Sequence, residues 1–126
     1  MTMISPMTMI SVVDDDPFVR SATVDLLNSF GFVCDAYASA EEYLGSGRIA
    51  NTSCLILDVK MPGLNGLELQ TQLIETGRRI PIIFVTSFPE ESARAKAIGA
   101  GAICFLPKPY SEEHLLNCIH RALRPT

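Results

Sequence analysis

Several features that assign proteins to particular classes are missing from this chain of 126 residues. No apolar run approaches the roughly 18 residues that a membrane span needs, and the start lacks the positive region of a signal peptide. The ten Lys and Arg residues are scattered and the formal net charge is −4, which disfavours contact with phosphate backbones. The sequence therefore predicts a cytoplasmic protein that neither enters a membrane nor binds nucleic acid directly.

The cysteines also lack a pattern that would indicate a function. There is no Cys-x-x-Cys pair and no compact spacing with the two histidines, which are six residues apart and so lie on different faces of a helix. We expect buried thiols in a reducing compartment at all four positions: Cys34, Cys54, Cys104 and Cys118.

Length and composition favour one globular domain, with 48% apolar and 19% charged residues. The segment Met1-Thr2-Met3-Ile4-Ser5 recurs at residues 7–11, which is too short for a structural repeat. We expect residues 1–7 to be a disordered leader or a scar of cloning, and residues 8–124 to form the domain.

Five short apolar segments alternate with segments of helical character. The predicted strands are residues 8–13, 32–37, 54–57, 82–85 and 102–106. Asp16 before Pro17, Ser39 before Glu41-Glu42, the stretch 87–90 and Ser111 are typical helix starts. Strict alternation favours a parallel sheet wrapped by helices on both faces through right-handed crossovers.

Polar residues follow four of these strands. In parallel sheets, ligands bind at the carboxyl ends of the strands, so these side chains should meet at one edge. Crowded carboxylates repel one another, and a hard dication such as Mg²⁺ would relieve the repulsion. A carboxylate beside Mg²⁺ can attack phosphorus, with an ammonium and a hydroxyl contacting the phosphoryl oxygens. The residues concerned are Asp14, Asp15, Asp58, Thr86 and Lys108.

Four motifs together give the chain a family resemblance that covers residues 8–123. They are an acidic pair after the first strand, Asp58-Val59-Lys60-Met61-Pro62-Gly63 after the third, Thr86-Ser87 after the fourth and Lys108-Pro109 after the fifth. The chain resembles the response-regulator receiver domains, the CheY-like family, and in particular FixJ-type regulators. The resemblance implies an α/β fold: a flavodoxin-like (βα)5 three-layer sandwich with strand order 2-1-3-4-5.

The resemblance also implies roles for individual residues. Asp58 would accept a phosphoryl group, and Mg²⁺, or Mn²⁺ in its place, would be held by Asp14, Asp15, Asp58 and the backbone carbonyl of Lys60. The residues implied to contact the phosphoryl group or relay its arrival are Thr86, Lys108 and Phe105, and those implied to tune its lifetime are Lys60 and Phe88.

Family members receive the phosphoryl group from a sensor histidine kinase or a phosphotransfer protein and are not enzymes with a separate substrate. The readout would be the face formed by the fourth helix, fifth strand and fifth helix. Small residues in the fourth helix, such as Ala93 and Ala97, suit a homodimer formed on phosphorylation. FixJ-type similarity further suggests a DNA-binding output domain outside this chain.

Two other functions compete with this interpretation. Asp14-x-Asp16 superficially resembles the nucleophile motif of haloacid-dehalogenase-type phosphohydrolases, but that motif needs Thr or Val where Phe18 stands. A phosphorylation-independent interaction module would usually lack one of the acids, Thr86 or Lys108. A nucleotide-binding protein is excluded because no Gly-rich phosphate loop follows the first strand.

Overall fold

A computed structural model describes residues 8–124, in which strands and helices alternate. The expectation for residues 1–7 lies outside the described residues. The strands are β1 (Met9–Val13), β2 (Val33–Tyr37), β3 (Cys54–Asp58), β4 (Ile82–Thr86) and β5 (Cys104–Pro107). The helices are α1 (Pro17–Ser29), α2 (Ala40–Leu44), α3 (Gly66–Glu75), α4 (Glu91–Gly99) and α5 (Glu112–Leu123), with a 3-10 turn at Ile49–Asn51.

The strands form one parallel sheet in the order β2-β1-β3-β4-β5, which confirms the predicted fold class. Val13 pairs with Leu57, Asp58 with Val85, and Thr86 with Pro107. This register brings the carboxyl ends of the central strands level, so the residues that follow them share one edge of the sheet.

Two hydrophobic cores lie on opposite faces of the sheet. Val13, Leu55 and Leu57 pack with residues of α2, α3 and α4, whereas Val12 and Ile56 pack with residues of α1 and α5. Successive strand residues point to opposite faces, and every residue of β3 and β4 is buried, as expected of strands covered on both sides. Within residues 8–124, no helix combines the length and apolarity that crossing a membrane requires.

Several helix starts agree with the sequence analysis. Asp16 caps α1 and accepts hydrogen bonds from the backbone N–H groups of Phe18 and Val19. Ser39 and Ser111 cap α2 and α5 in the same way. These caps satisfy N–H groups that have no partner within the helix.

The capping box expected at residues 87–90 is wrong. The helix begins only at Glu91, and Glu90, at the N-cap position, makes no side-chain capping hydrogen bond. Pro89 disfavours helical backbone at Phe88, whose N–H donates instead to the Thr86 hydroxyl at 3.0 Å. The backbone of Phe88 is therefore bonded to the end of β4, and α4 starts without a side-chain cap.

The expectation of four thiols is also wrong. Cys104 of β5 and Cys118 of α5 are joined as a disulfide, with Cα atoms 6.2 Å apart. They are 14 residues apart in sequence, and only the packing of α5 on the sheet brings them together. The other two cysteines are free thiols; burial raises the pKa of Cys34 to about 11 and that of Cys54 to about 12.

Candidate functional site

Three carboxylates meet at the carboxyl edge of the sheet. Asp14 and Asp15 follow β1 and Asp58 ends β3, and one oxygen from each lies within 4.8 Å of the others. Asp14 and Asp58 are buried, whereas Asp15 is exposed. The sheet therefore builds a small acidic pocket that is open to solvent on the side of Asp15.

Asp14 is the most firmly held of the three acids. Its Oδ1 accepts a hydrogen bond from the backbone N–H of Asp16 at 2.9 Å, and its Oδ2 accepts one from the Lys108 ammonium at 2.9 Å. Its own N–H donates to the carbonyl of Tyr37 at 3.1 Å. Asp16, in turn, uses its side chain to cap α1. The metal-ligand candidates after β1 are thus Asp14 and Asp15, and Asp16 is structural.

Lys108 joins two of the acids. Its Nζ lies 2.9 Å from Oδ2 of Asp14 and 3.6 Å from Oδ2 of Asp58. Burial lowers the pKa of Lys108, but the hydrogen bond and charge of Asp14, followed by those of Asp58, outweigh burial and raise the pKa overall. The ammonium is consequently charged and lies against carboxylate oxygens of both Asp14 and Asp58.

Asp58 has a strongly shifted pKa. Burial, followed by the negative charge of Asp14, raises its pKa to about 6, although the nearby Lys108 and a backbone hydrogen bond from Lys60 act in the opposite direction. One ammonium therefore does not neutralise the pocket. The residual negative charge is what a bound cation would balance.

The donor set fits a hard divalent cation. All three side chains offer carboxylate oxygens, which Mg²⁺ and Mn²⁺ prefer to nitrogen or sulfur. Burial and the charge of Asp14 disfavour the ionised form of Asp58, and a cation in contact with its carboxylate would offset both. The backbone N–H of Lys60 also contacts Asp58 and lowers the pKa of its carboxyl group.

The family follows from a comparison of the whole chain. A family model described as "Response regulator receiver domain" matches residues 10–120. The chain belongs to this family. It is thus a two-component response-regulator receiver, with Asp14, Asp15 and Asp58 as its acidic pocket for phosphorylation, and it is not a true enzyme.

Relatives agree with this assignment. The response regulator protein TodT of Pseudomonas putida is 41% identical over 117 residues, covering 93% of this chain and 52% of TodT. The transcriptional regulatory protein FixJ of Bradyrhizobium diazoefficiens is 32% identical, covering 91% of this chain and 56% of FixJ. The solved structure of the response regulator StyR has a TM-score of 0.86 at 41% identity, covering 92% of this chain and 59% of that one. The chain spans about half the length of the curated relatives it matches.

The remaining residues singled out in the sequence lie on β4, on β5 and in the segments that follow β3 and β4. Thr86 is fully buried at the end of β4, and Phe105 of β5 lies next to Phe84, with ring centroids 6.2 Å apart. Lys60 and Phe88 face each other, with the Lys60 Nζ 5.1 Å from the centroid of the Phe88 ring.

Sequence reasoning missed two residues that shape the receiver pocket. A Cβ atom on Gly66 would collide with the backbone carbonyl oxygen of Asp58, so α3 can approach the acceptor only with glycine there. The Arg20 guanidinium donates to the backbone carbonyl of Asp14. Neither residue carries a sequence signal of its own, because both contacts are with backbone atoms.

Proposed function

We propose that this receiver accepts a phosphoryl group on Asp58 from the phosphohistidine of a sensor histidine kinase or phosphotransfer protein. An oxygen of Asp58 would form the new bond to phosphorus as the bond from phosphorus to the histidine nitrogen breaks. The carrying observation is that Asp58, Asp14 and Lys108 share one buried cluster, with the ammonium 2.9 Å and 3.6 Å from the two carboxylates.

Asp14, Asp15, Asp58 and the backbone carbonyl of Lys60 would hold Mg²⁺, or Mn²⁺ in its place. The ion supplies charge that offsets the carboxylates and the phosphoryl oxygens. Lys108 would contact a phosphoryl oxygen while it remains hydrogen-bonded to Asp14. The raised pKa of Asp58, caused first by burial and then by the charge of Asp14, supports this assignment, since a bound cation would stabilise the ionised carboxylate.

We propose Thr86 and Phe105 as the switch. The Thr86 hydroxyl accepts a hydrogen bond from the N–H of Phe88, and in this proposal it turns toward the new phosphoryl oxygens. The space that it leaves would admit the ring of Phe105, which lies on the neighbouring strand. The change would reach the face formed by α4, β5 and α5.

Lys60 and Phe88 are proposed to lengthen the life of the phosphorylated state. Lys60 is held between the Phe88 ring and Glu90, whose Oε1 lies 3.1 Å from its Nζ, so the two side chains narrow the path for a hydrolytic water. We expect a half-life of minutes or longer, shortened in Phe88→Ala. A half-life of seconds that the substitution does not change would reject this role.

The donor histidine would approach between α1 and β5–α5. A cleft of about 420 Å³ there is lined by Val19, Ala22, Leu26 and Tyr110 and reaches Lys108. Phe18, beside it, is 85% exposed, and Ser87 leaves the entrance open. An apolar rim that leads to a cationic site suits a helical partner carrying a phosphohistidine.

The output is proposed to be control of transcription through a further domain, with a homodimer through α4, β5 and α5 as an intermediate step. The relative FixJ is a transcriptional regulatory protein, and this fact and the greater length of the relatives support the proposal. Direct nucleic-acid binding by the described surface is disfavoured by the net charge of −4.

The proposed location is the cytoplasm, and the Cys104–Cys118 pair offers a test. The structure joins these two cysteines as a disulfide, whereas a reducing compartment would keep them as reduced thiols in the cell. Alkylation of the protein at the moment of extraction, read by intact mass before and after reduction, would count them. A disulfide present in the cell would contradict the proposed location.

A phosphorylation-independent interaction module is the second candidate, and it shares the fold. The phosphohydrolase alternative is weaker still, because Asp16 caps α1 and takes no part in the acidic cluster.

Incubation with acetyl phosphate and Mg²⁺, followed by intact mass of the wild type and Asp58→Ala, tests the proposal. We expect a mass gain of one phosphoryl group that requires Mg²⁺ and is lost in the variant. No gain in the wild type, with either acetyl phosphate or a panel of phosphorylated kinases, would favour the interaction module.

A further inference from the structure

Arg20 connects α1 to the loop that carries two of the three acids. Its Nη1 donates a hydrogen bond to the backbone carbonyl oxygen of Asp14 at 2.7 Å, and the side chain is half-buried. This contact touches neither a carboxylate nor the proposed path of the phosphoryl group. Its effect must therefore pass through the backbone.

The carbonyl that Arg20 holds belongs to the peptide plane between Asp14 and Asp15. Because a peptide unit is planar, fixing its oxygen fixes the direction in which the chain reaches the Cα atom of Asp15. The other anchors of Asp14 act on its N–H and its carboxylate, through Tyr37 and Lys108 among others. Arg20 is thus the anchor placed to act on the exposed Asp15.

The local fold explains why an arginine at this position reaches the loop. Asp16 and Pro17 start the helix, and the backbone N–H of Arg20 donates to the carbonyl of Asp16 at 2.9 Å. Side chains on a helix lean toward its amino terminus, so a long side chain in the first turn lies back over the residues before the helix. The guanidinium reaches the carbonyl of Asp14 along this path.

We propose that Arg20 is a positioning residue that orients Asp15 toward the cation shared by Asp14, Asp15 and Asp58, and so raises the affinity of the receiver for Mg²⁺. The inference rests on the proposed function, since it assumes that this pocket binds the ion. Charge alone makes the opposite prediction: a guanidinium beside a cation site repels the cation, so its removal would tighten binding. The sign of the change in affinity therefore separates the two effects.

The test is a calorimetric titration with Mg²⁺ alone, without phosphodonor, on the wild type, Arg20→Met and Arg20→Lys. Methionine keeps much of the apolar stem and removes the donor, and we expect Kd for Mg²⁺ to rise about tenfold, as for other groups that orient metal ligands. Lysine retains a donor for the same carbonyl and should recover most of the affinity. Arg79→Met, which removes the same charge from an exposed position in the loop between α3 and β4, is the control and should leave Kd unchanged.

A second readout separates positioning from damage to the fold. Without Mg²⁺, the thermal transition of Arg20→Met should stay cooperative, and a higher concentration of Mg²⁺ than for the wild type should be needed to raise its midpoint by the same amount. If methionine prevents folding, Arg20→Gln, which keeps a shorter donor, takes its place in the titration.

An unchanged or lower Kd in Arg20→Met would overturn the inference, as would failure of Arg20→Lys to recover affinity. Absence of Mg²⁺ binding in the wild type is a different result: it would overturn the proposed metal site itself.

Discussion

The two sides of the acidic pocket are held very differently. On one side, the cluster of Asp14, Asp58 and Lys108 is buried and tied together by direct hydrogen bonds and ion pairs. On the other side, formed by Phe88, Glu90 and α4, Phe88 is 62% exposed and the helix starts without a side-chain cap. We call these the fixed side and the loose side.

The difference extends into the helices. Helix α5 has a serine cap and buries four residues, whereas α4 buries only Ala97. Elements with few buried contacts and unsatisfied ends open at low free-energy cost. The domain thus fixes Asp14, Asp58 and Lys108 more firmly than α4, the helix proposed to report phosphorylation.

The largest expected difference between the two sides is in the free energy of unfolding when one glycine on each side is replaced by alanine. In Gly66→Ala, the new Cβ atom would collide with the carbonyl of Asp58 on the fixed side, and neither backbone can yield cheaply. We expect a loss of about 2–3 kcal/mol in the free energy of unfolding, as for overpacked cores. Because Asp58 is displaced, phosphorylation by acetyl phosphate should also slow. Urea denaturation and intact mass measure the two effects.

Gly99→Ala is the matched substitution on the loose side. Nothing lies within 4 Å of a Cβ atom at this position, and the residue is the last of α4. Alanine has the higher helix propensity, so the free energy of unfolding should stay the same or rise by up to about 1 kcal/mol. Equal losses in Gly66→Ala and Gly99→Ala would contradict the distinction between the two sides.

At neutral pH and without a bound cation, the ionised Asp58 on the fixed side should lower the free energy of unfolding. The pKa of Asp58 is about 6 in the folded chain, above the ordinary value of 3.8, so the unfolded state releases this proton first. Its contribution to stability is therefore present at low pH and is lost as pH rises through the folded pKa. Asp58→Asn removes this dependence and should raise the free energy of unfolding by about 1–2 kcal/mol above neutral pH.

Urea denaturation of Asp58→Asn and the wild type at about pH 4.5 and about pH 7.5, with and without Mg²⁺, measures this effect. The difference between the proteins should be smaller at the lower pH, where Asp58 is largely protonated in the fold. Mg²⁺ should reduce it at the higher pH by stabilising the wild type. A difference independent of both pH and Mg²⁺ would mean that Asp58 is not electrostatically strained.

The sequence was sufficient to predict elements that follow a periodic pattern of apolar residues, and to predict the meeting of polar residues that stand at strand ends. It predicted the alternation, the parallel sheet and the gathering of Asp14, Asp58 and Lys108, because acids directly after buried strands must meet at the edge of a parallel sheet. The sequence did not predict contacts between residues that are distant along the chain, nor contacts made with backbone atoms. Cys118 meets Cys104 only after α5 packs, and Gly66 and Arg20 act on carbonyl groups, which every residue possesses.

The capping box predicted at the start of α4 is wrong for a different reason. That reason leads to the prediction with the smallest expected effect. Ser87 and Glu90 had the spacing of a capping box, but Pro89 and the Thr86 hydroxyl determine the local backbone, and Glu90 is left at the N-cap position. Asp is a far better N-cap residue than Glu because its shorter side chain can accept the N–H bonds of the first turn. Glu90→Asp keeps the charge and should stabilise the domain by about 0.5–1 kcal/mol.

If the loose side must move to report phosphorylation, this gain should carry a cost in signalling. Capping α4 favours its present position in the unphosphorylated state, so the proposed dimer should form less readily in Glu90→Asp at equal phosphorylation. Thermal unfolding measures the stability, and sedimentation of both proteins with and without acetyl phosphate measures assembly. Glu112→Asp, in the first turn of the already capped α5, is the control and should change neither quantity. A stabilised Glu90→Asp that still assembles like the wild type would show that the amino terminus of α4 is not the part that moves.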